Sequence, residues 1–255
     1  MAMDKRVLIT AGGSGIGRTM AETFHKAGAH VWVVDVDADA LASCPPAWER
    51  DQLDVCDEAA VEALFARIRA SWGGLDVLCA NAGIAGPTAA IEDIEVADWR
   101  RCLTVNLEGA FLFAKHATPL MKAQRSGAII LTSSTAGIFG YPNRAPYSAS
   151  KWAINGLMKT LAMELGPYGV RANSICPGAV EGPRMETVMA REAAAKDTTR
   201  DAIYAGYTGG TSMRSFITAE DVAAMALFLA SDAARLVSGQ IIAVDGHTEN
   251  PDPKV

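Results

Sequence analysis

The sequence predicts an α/β protein: a doubly wound parallel β-sheet of about seven strands with helices on both faces. Three observations lead there. Short apolar runs alternate with longer stretches of helical periodicity, the order that builds strand–helix–strand units with right-handed crossovers. The runs lack polar alternation, as in HVWVVD at His30–Asp35, which suits strands covered on both faces. A glycine-rich turn joins the first run to the first helical stretch.

The elements follow in order. Arg6–Thr10 (RVLIT) is a buried strand entering a tight turn. From Gly15, residues Ile16, Met20 and Phe24 share one helical face up to Gly28. His30–Asp35 is the second strand and residues 52–55 a short third. A helix over 57–71 leads to a strand at 75–80. A long helical stretch covers 98–125, a strand 128–132 and a helix 147–165. Strands at 170–175 and Ile241–Val244 come last, with a helix at 219–231 between them. No repeat or linker interrupts the pattern, so residues 1–255 read as one domain. Residues 181–215, polar and glycine-containing, read as an inserted lid.

Half of the 255 residues are apolar, enough for one large core. The net charge of −6 comes from intermixed signs; without a basic stripe, nucleic acid is not expected as a partner. No apolar run approaches the ~20 residues of a membrane span, and no signal peptide opens the chain. No membrane partner and a cytoplasmic location are therefore expected. The five cysteines are scattered without C-x-x-C spacing, consistent with reduced, buried thiols. No His/Cys set has zinc-ligand spacing, so no metal is expected.

Residues 10–17 read TAGGSGIG between the first strand and first helix. Gly12, Ser14, Gly15, Ile16 and Gly17 there let backbone N–H groups and a helix N-terminus meet a pyrophosphate. Asp35 ends the second strand, 18 residues after Gly17. Its carboxylate suits adenosine ribose hydroxyls and repels a 2′-phosphate, and the neighbours Ser14, Val36 and Asp37 offer no positive charge. NAD is the expected cofactor. The plainer reading of Asp35 is a cap on the following helix.

Tyr147 and Lys151 lie four residues apart in a helical segment and so share a face. An ammonium beside a phenol favours the phenolate, which eases proton exchange with an alcohol or carbonyl oxygen. Ser134, 13 residues before Tyr147, falls at the C-terminal end of an expected strand, where open parallel sheets bind ligands.

With these motifs in order, followed by Pro177-Gly178 and SGQIIAVDG at 238–246, the chain resembles the single-domain short-chain dehydrogenase/reductases over nearly its whole length. The resemblance implies a Rossmann-like sheet in the order 3-2-1-4-5-6-7, and a secondary alcohol/ketone as substrate. It implies that Ser134 holds the substrate oxygen, Tyr147 transfers the proton and Lys151 binds the nicotinamide ribose. Asn106 would support a proton relay to Lys151, or act as a helix-kinking structural amide. Asp54 and Val55 would flank the adenine, Asn81 and Gly83 would line the cofactor cleft, and Pro177, Gly178 and the backbone at Val180 would border the nicotinamide. Relatives commonly form tetramers, and apolar residues on several faces of the two long helices (Phe111, Trp152) suit a homotetramer.

Two positions depart from the family pattern. Ala11 stands where a glycine usually follows the threonine, tolerable with negative φ. Gly182 replaces a common threonine, removing a hydroxyl and loosening the lid. Substrate contacts are expected from Phe139, Tyr141, Asn143 and Arg144 in the loop before Tyr147. The lid offers Arg184, Met185, Met189, Tyr204, Tyr207 and Met213. Arg144 and Arg184 could clamp an anionic group, although arginines near loops are commonly solvated. An NADPH-dependent 3-oxoacyl thioester reductase shares the fold and catalytic group; Asp35 disfavours it. A non-catalytic nucleotide sensor has no need of Tyr147. A sugar-nucleotide epimerase or dehydratase would need a larger substrate domain.

Overall fold

In the computed structural model, which describes residues 3–250, the chain forms seven strands. They are β1 (Arg6–Thr10), β2 (His30–Asp35), β3 (Glu49–Gln52), β4 (Val77–Ala80), β5 (Gly127–Thr132), β6 (Val170–Pro177) and β7 (Ile241–Val244). They pair in parallel in the order β3-β2-β1-β4-β5-β6-β7, as expected. The helices are α1 (Gly15–Lys26), α2 (Ala38–Ala42), α3 (Glu58–Trp72), α4 (Val96–Leu103) and α5 (Gly109–Gln124), then α6 (Ala145–Leu165), α7 (Pro183–Ala195), α8 (Arg200–Gly209) and α9 (Ala219–Ala230). The ends of the domain expected over 1–255, residues 1–2 and 251–255, lie outside the described residues. Among the described residues, no helix is long and apolar enough to cross a membrane.

The uniformly apolar strands serve two cores at once, because successive side chains leave opposite faces. Leu8, Trp32, Val34, Leu78 and Ile129 pack with α3, α5 and α6 on one side. Val7, Ile9, Val33, Cys79 and Ile130 pack with α1 and α9 on the other.

Several boundaries moved. The third strand is the polar edge segment Glu49–Gln52, paired to Trp32–Asp35, not residues 52–55. Leu53 and Val55, whose apolar character suggested a strand, are buried in the following loop. Apolar character there reports burial, and β3 at the sheet edge has no second strand to shield it. The expected helix 98–125 starts earlier, at Val96, and is broken by a π-helical turn over Thr104–Glu108. Helix α6 begins at Ala145, with Pro146 in its first turn, where a missing N–H costs nothing. That places Tyr147 in the first turn. The segment expected as a lid, 181–215, forms two helices, α7 and α8, which pack with Phe216 around a small core of Met189, Ala193, Ile203 and Tyr207.

Candidate active site

The carboxyl ends of β1, β4 and β5 are laced together. Thr10 Oγ1 accepts from the N–H groups of Asn81 (2.9 Å) and Ala82 (2.8 Å), and Asn81 Nδ2 donates to the Thr10 carbonyl at 3.2 Å. Thr132 Oγ1 donates to Asn81 Oδ1 at 3.3 Å. These ends flank the place where the chain winds away in both directions, the usual ligand crevice of such sheets.

The glycine turn leaves no room for a side chain at Gly12 or Gly17. A Cβ on Gly12 would stand 2.6 Å from Val33, and one on Gly17 2.0 Å from the Ala11 carbonyl oxygen. Gly15, at φ +53, faces open space. Ser14 sits at the N-cap of α1 without a side-chain cap bond. The first-turn N–H groups, including those of Ile16 and Gly17, thus lack a side-chain cap, a feature that favours an anion. Ala11 corrects the expectation of negative φ: it lies in the left-handed region at φ 50. The close pass of Gly17 beneath its carbonyl holds it there, at a cost of about 1–2 kcal/mol for a residue with a Cβ.

Asp35 is buried at the end of β2; its carboxylate accepts from Gly13 N–H (3.0 Å) and Asp37 N–H (3.1 Å). The capping reading of Asp35 fails: Asp37 is the N-cap of α2, accepting from Asp39 and Ala40. Two acceptor positions of a carboxylate remain for a ribose. The glycine cradle, the uncapped helix and this acid fit a dinucleotide.

Lys151 follows Tyr147 by one helical turn. Its ammonium is buried, donates to the Thr132 carbonyl at 2.7 Å and lies 5.7 Å from the Tyr147 ring centroid. Ser134, just beyond β5, accepts from Ala136 N–H at 3.1 Å. Burial alone would raise the Tyr147 phenol, yet Lys151, Arg184, the Ser134 hydroxyl and Arg144 together pull it below the ordinary tyrosine value. Burial holds the Lys151 ammonium below the ordinary lysine range, against the pull of Tyr147. Such a pair suits proton exchange, because the phenolate forms more readily than on an isolated tyrosine.

Asn106 occupies the π-helical turn. Its Oδ1 accepts from Ile84 N–H at 2.7 Å; its Nδ2 donates to the Ile84 carbonyl (3.1 Å) and to Ser150 Oγ (2.9 Å). A Cβ on Gly83 would stand 3.1 Å from Asn106 Oδ1 and 3.3 Å from Lys151 Nζ. Gly83 therefore allows the amide and ammonium to sit together.

The remaining expected positions border this cluster or flank the sheet. Asp54 accepts from Cys56 N–H at 3.0 Å, and Val55 packs where a Cβ on Gly109 would fall, at 2.7 Å. Pro177 ends β6, and Gly178 N–H donates to the Val244 carbonyl at 2.9 Å. Val180 bridges to Ile217. Gly182 adopts φ 137 at the start of α7, so glycine here meets a backbone requirement in addition to removing a hydroxyl.

The two arginines part company. Arg184, on exposed α7, acts electrostatically on Tyr147, Lys151 and Cys102. Arg144 is buried against the Tyr147 ring, its guanidinium carbon 4.9 Å from the centroid, and Nη2 donates to the Ala85 carbonyl at 3.3 Å. Of the other expected lid contacts, Met189 and Tyr207 are buried in the lid core, with Tyr207 Oη donating to Glu192 at 2.8 Å. Burial pushes the Tyr141 phenol up to about 12. Met213 is exposed.

Sequence reasoning missed Thr10, the Thr132 carbonyl, the Ile84 backbone and Ser150. Three act through long-range contacts that spacing does not encode; Ser150, inside Y-S-A-S-K, could have been noticed as the buried polar residue preceding Lys151.

A family model described as enoyl-(acyl carrier protein) reductase matches residues 10–247. The chain is 39% identical to (+)-borneol dehydrogenase 1 of Salvia officinalis, over 95% of this chain and 92% of that one. It is 38% identical to cis-4-hydroxycyclohexanecarboxylate dehydrogenase of Sinomonas cyclohexanicum, over 95% and 96%. The structure of NAD+-bound xylitol dehydrogenase superposes with a TM-score of 0.91 at 29% identity, covering 95% of this chain and 98% of that one. The chain belongs to the short-chain dehydrogenase/reductase family. Its relatives are oxidoreductases acting on hydroxyl groups, and the fold is one that binds a nicotinamide dinucleotide.

Proposed function

We infer that the protein is an NAD-dependent dehydrogenase interconverting a secondary alcohol and its ketone, with Tyr147 as general acid/base. The observation that carries this reading is Tyr147 one helical turn from the buried Lys151, whose ammonium the Thr132 carbonyl fixes at 2.7 Å. Ser134 and Tyr147 hold the substrate oxygen. In oxidation the Tyr147 phenolate accepts the hydroxyl proton; in reduction the phenol returns it. Bound NAD supplies the hydride acceptor. Lys151 binds the nicotinamide ribose and favours the phenolate. Asn106, with both amide hydrogens engaged, supports the relay by fixing the backbone of Ile84 and the hydroxyl of Ser150.

Gly12, Ser14, Gly15, Ile16 and Gly17 receive the pyrophosphate, and Asp35 the adenosine ribose, favouring NAD over NADP. Asp54 and Val55 flank the adenine; Asn81 and Gly83 line the cleft; Pro177, Gly178 and Val180 border the nicotinamide. The names of relatives, borneol and 4-hydroxycyclohexanecarboxylate dehydrogenases, support a ring-borne secondary alcohol. Arg184 favours a substrate with an anionic group. Beside the site, a cavity of about 410 Å³ is bordered by Arg101 and Arg191 with only Asp98 opposing them.

The working unit is one domain with a lid at 181–215, acting in the cytoplasm as a homotetramer. Exposed Phe111 (46%) on α5 and Trp152 (53%) on α6 support those helices as the interface.

The test is cofactor reduction with NAD and NADP across polyols, hydroxy acids, steroids and secondary alcohols. Turnover of a cyclic secondary alcohol with NAD is expected. Faster turnover with NADP would overturn the assignment of Asp35.

A further inference from the structure

Arg144 carries a positive charge in a place that opposes it three times over. The residue is only 8% exposed, and burying a charge without a partner is costly. It occupies the N-cap of α6, where the helix dipole disfavours cations. No carboxylate among the described residues forms an ion pair with it; its one hydrogen bond is to the Ala85 carbonyl, and Nε is enclosed without any partner. A guanidinium does not deprotonate to relieve this.

The groups around it narrow its role. Its guanidinium lies against the Tyr147 ring at 4.9 Å. Its charge also reaches Cys102 of α4, Tyr141 of the preceding loop and Tyr207 of α8. Burial keeps all three in their neutral forms. Glu192 of α7, the lid carboxylate acting on Tyr141 and Tyr207, is engaged by Lys196 at 3.2 Å and the Tyr207 hydroxyl. Tyr147 itself faces Lys151 on its own helix, Arg184 from α7 and Ser134 from the end of β5. The group that becomes an anion beside Arg144 in the proposed cycle is the Tyr147 phenolate.

We propose that Arg144 is a positioning residue for Tyr147: it clamps the ring face and stabilises the phenolate, acting independently of Lys151. This rests on Tyr147 being the general acid/base. Arg184 keeps the substrate-facing role, because it is exposed on the lid while Arg144 Nε is sealed off.

The test is the pH dependence of alcohol oxidation by the purified full-length enzyme. In wild type, kcat/KM should rise with pH through a midpoint below 10, the ordinary tyrosine value, because the reactive form is the phenolate. Arg144→Gln should move that midpoint up by about 1 pH unit or less, at the low end of what a nearby opposite charge does, because Lys151 and Arg184 act on the phenol more strongly. The rate deficit should shrink as pH rises, and NAD affinity should stay unchanged. Arg144→Lys, which keeps the charge, should lie closer to wild type. Arg144→Met serves if the glutamine variant does not fold.

An unchanged midpoint with a uniform rate loss would sink the proposal, as would a KM increase confined to anionic substrates. If neither uncharged variant folds, the charge belongs to the fold and the proposal also falls. Tyr147→Phe separates the two readings. An inactive Tyr147→Phe with an unshifted Arg144→Gln overturns only the role of Arg144, whereas an active Tyr147→Phe overturns the mechanism beneath it.

Discussion

At the strand ends, Lys151, Asn106 and Asn81 are held by backbone partners far away in sequence; residues 181–215, the proposed lid, instead gather with Phe216 around a separate small core. Lys151 is fixed by the Thr132 carbonyl, Asn106 by Ile84, and Asn81 by Thr10. The lid packs Met189, Ile203 and Tyr207 together and leaves Arg184 exposed. A floor built this way has one geometry for every substrate. The exposed residues of 181–215 can change without removing the hydrogen bonds that fix the floor, so the proposed function assigns chemistry to the floor and selectivity to this segment.

The contrast breaks most visibly at Tyr147. Replacing it with Phe keeps the ring against Arg144 but removes the exchangeable proton. We expect kcat to fall about 100- to 10,000-fold for all substrates, with NAD binding, read by fluorescence titration, intact. Loss for one substrate alone would mean that the floor is not common to all of them.

Arg184→Ala probes the other half. Losing a charge-assisted contact of about 1.5–3 kcal/mol should raise KM by about 10- to 100-fold for anionic substrates only, while the loss of its pull on the Tyr147 phenol raises the pH midpoint for anionic and neutral substrates alike. Steady-state kinetics on a matched hydroxy acid and alcohol decide this; equal KM effects on both would remove Arg184 from substrate selection.

Asn106→Ala tests whether the floor is as rigid as its bonds suggest. It strips the partner from Ile84 and opens the π-helical turn. Leaving a buried polar group unpaired should lower stability by about 1–3 kcal/mol, measured by chemical denaturation, with lower kcat and little change in KM. Unchanged stability would mean that water replaces the amide without loss.

The smallest effect is expected at Ala11. Glycine relieves the left-handed strain at φ 50, about 1–2 kcal/mol, but adds unfolded-state freedom of about 0.4–1 kcal/mol. The net gain should lie between about 0 and 1.6 kcal/mol, visible as at most a modest rise in melting temperature. A loss would show that the methyl group packs favourably in the turn.

The order of elements, the glycine turn, Asp35 and the Tyr147/Lys151 pair were legible in the sequence because each rests on a local pattern, whereas Ser134 entered through its place at a strand end and the family resemblance. A strand covered on both faces must be apolar throughout, a phosphate cradle must lack side chains, and residues four apart on a helix must share a face. Where apolar character stood in for structure, the reading slipped: Leu53 and Val55 are buried loop residues, and the strand beside them is the polar Glu49–Gln52.

What only the tertiary structure decided are contacts between distant segments. Sequence placed Arg144 in a loop near the site and Ala11 in a turn. Folding buried the first against Tyr147 and forced the second to positive φ where Gly17 passes close to its carbonyl. It also closed the amide of Asn106 on Ile84, 22 residues away. The physical reason is that periodicity fixes which way a side chain leaves its own backbone, while the cost or benefit of its position depends on what another part of the chain brings against it.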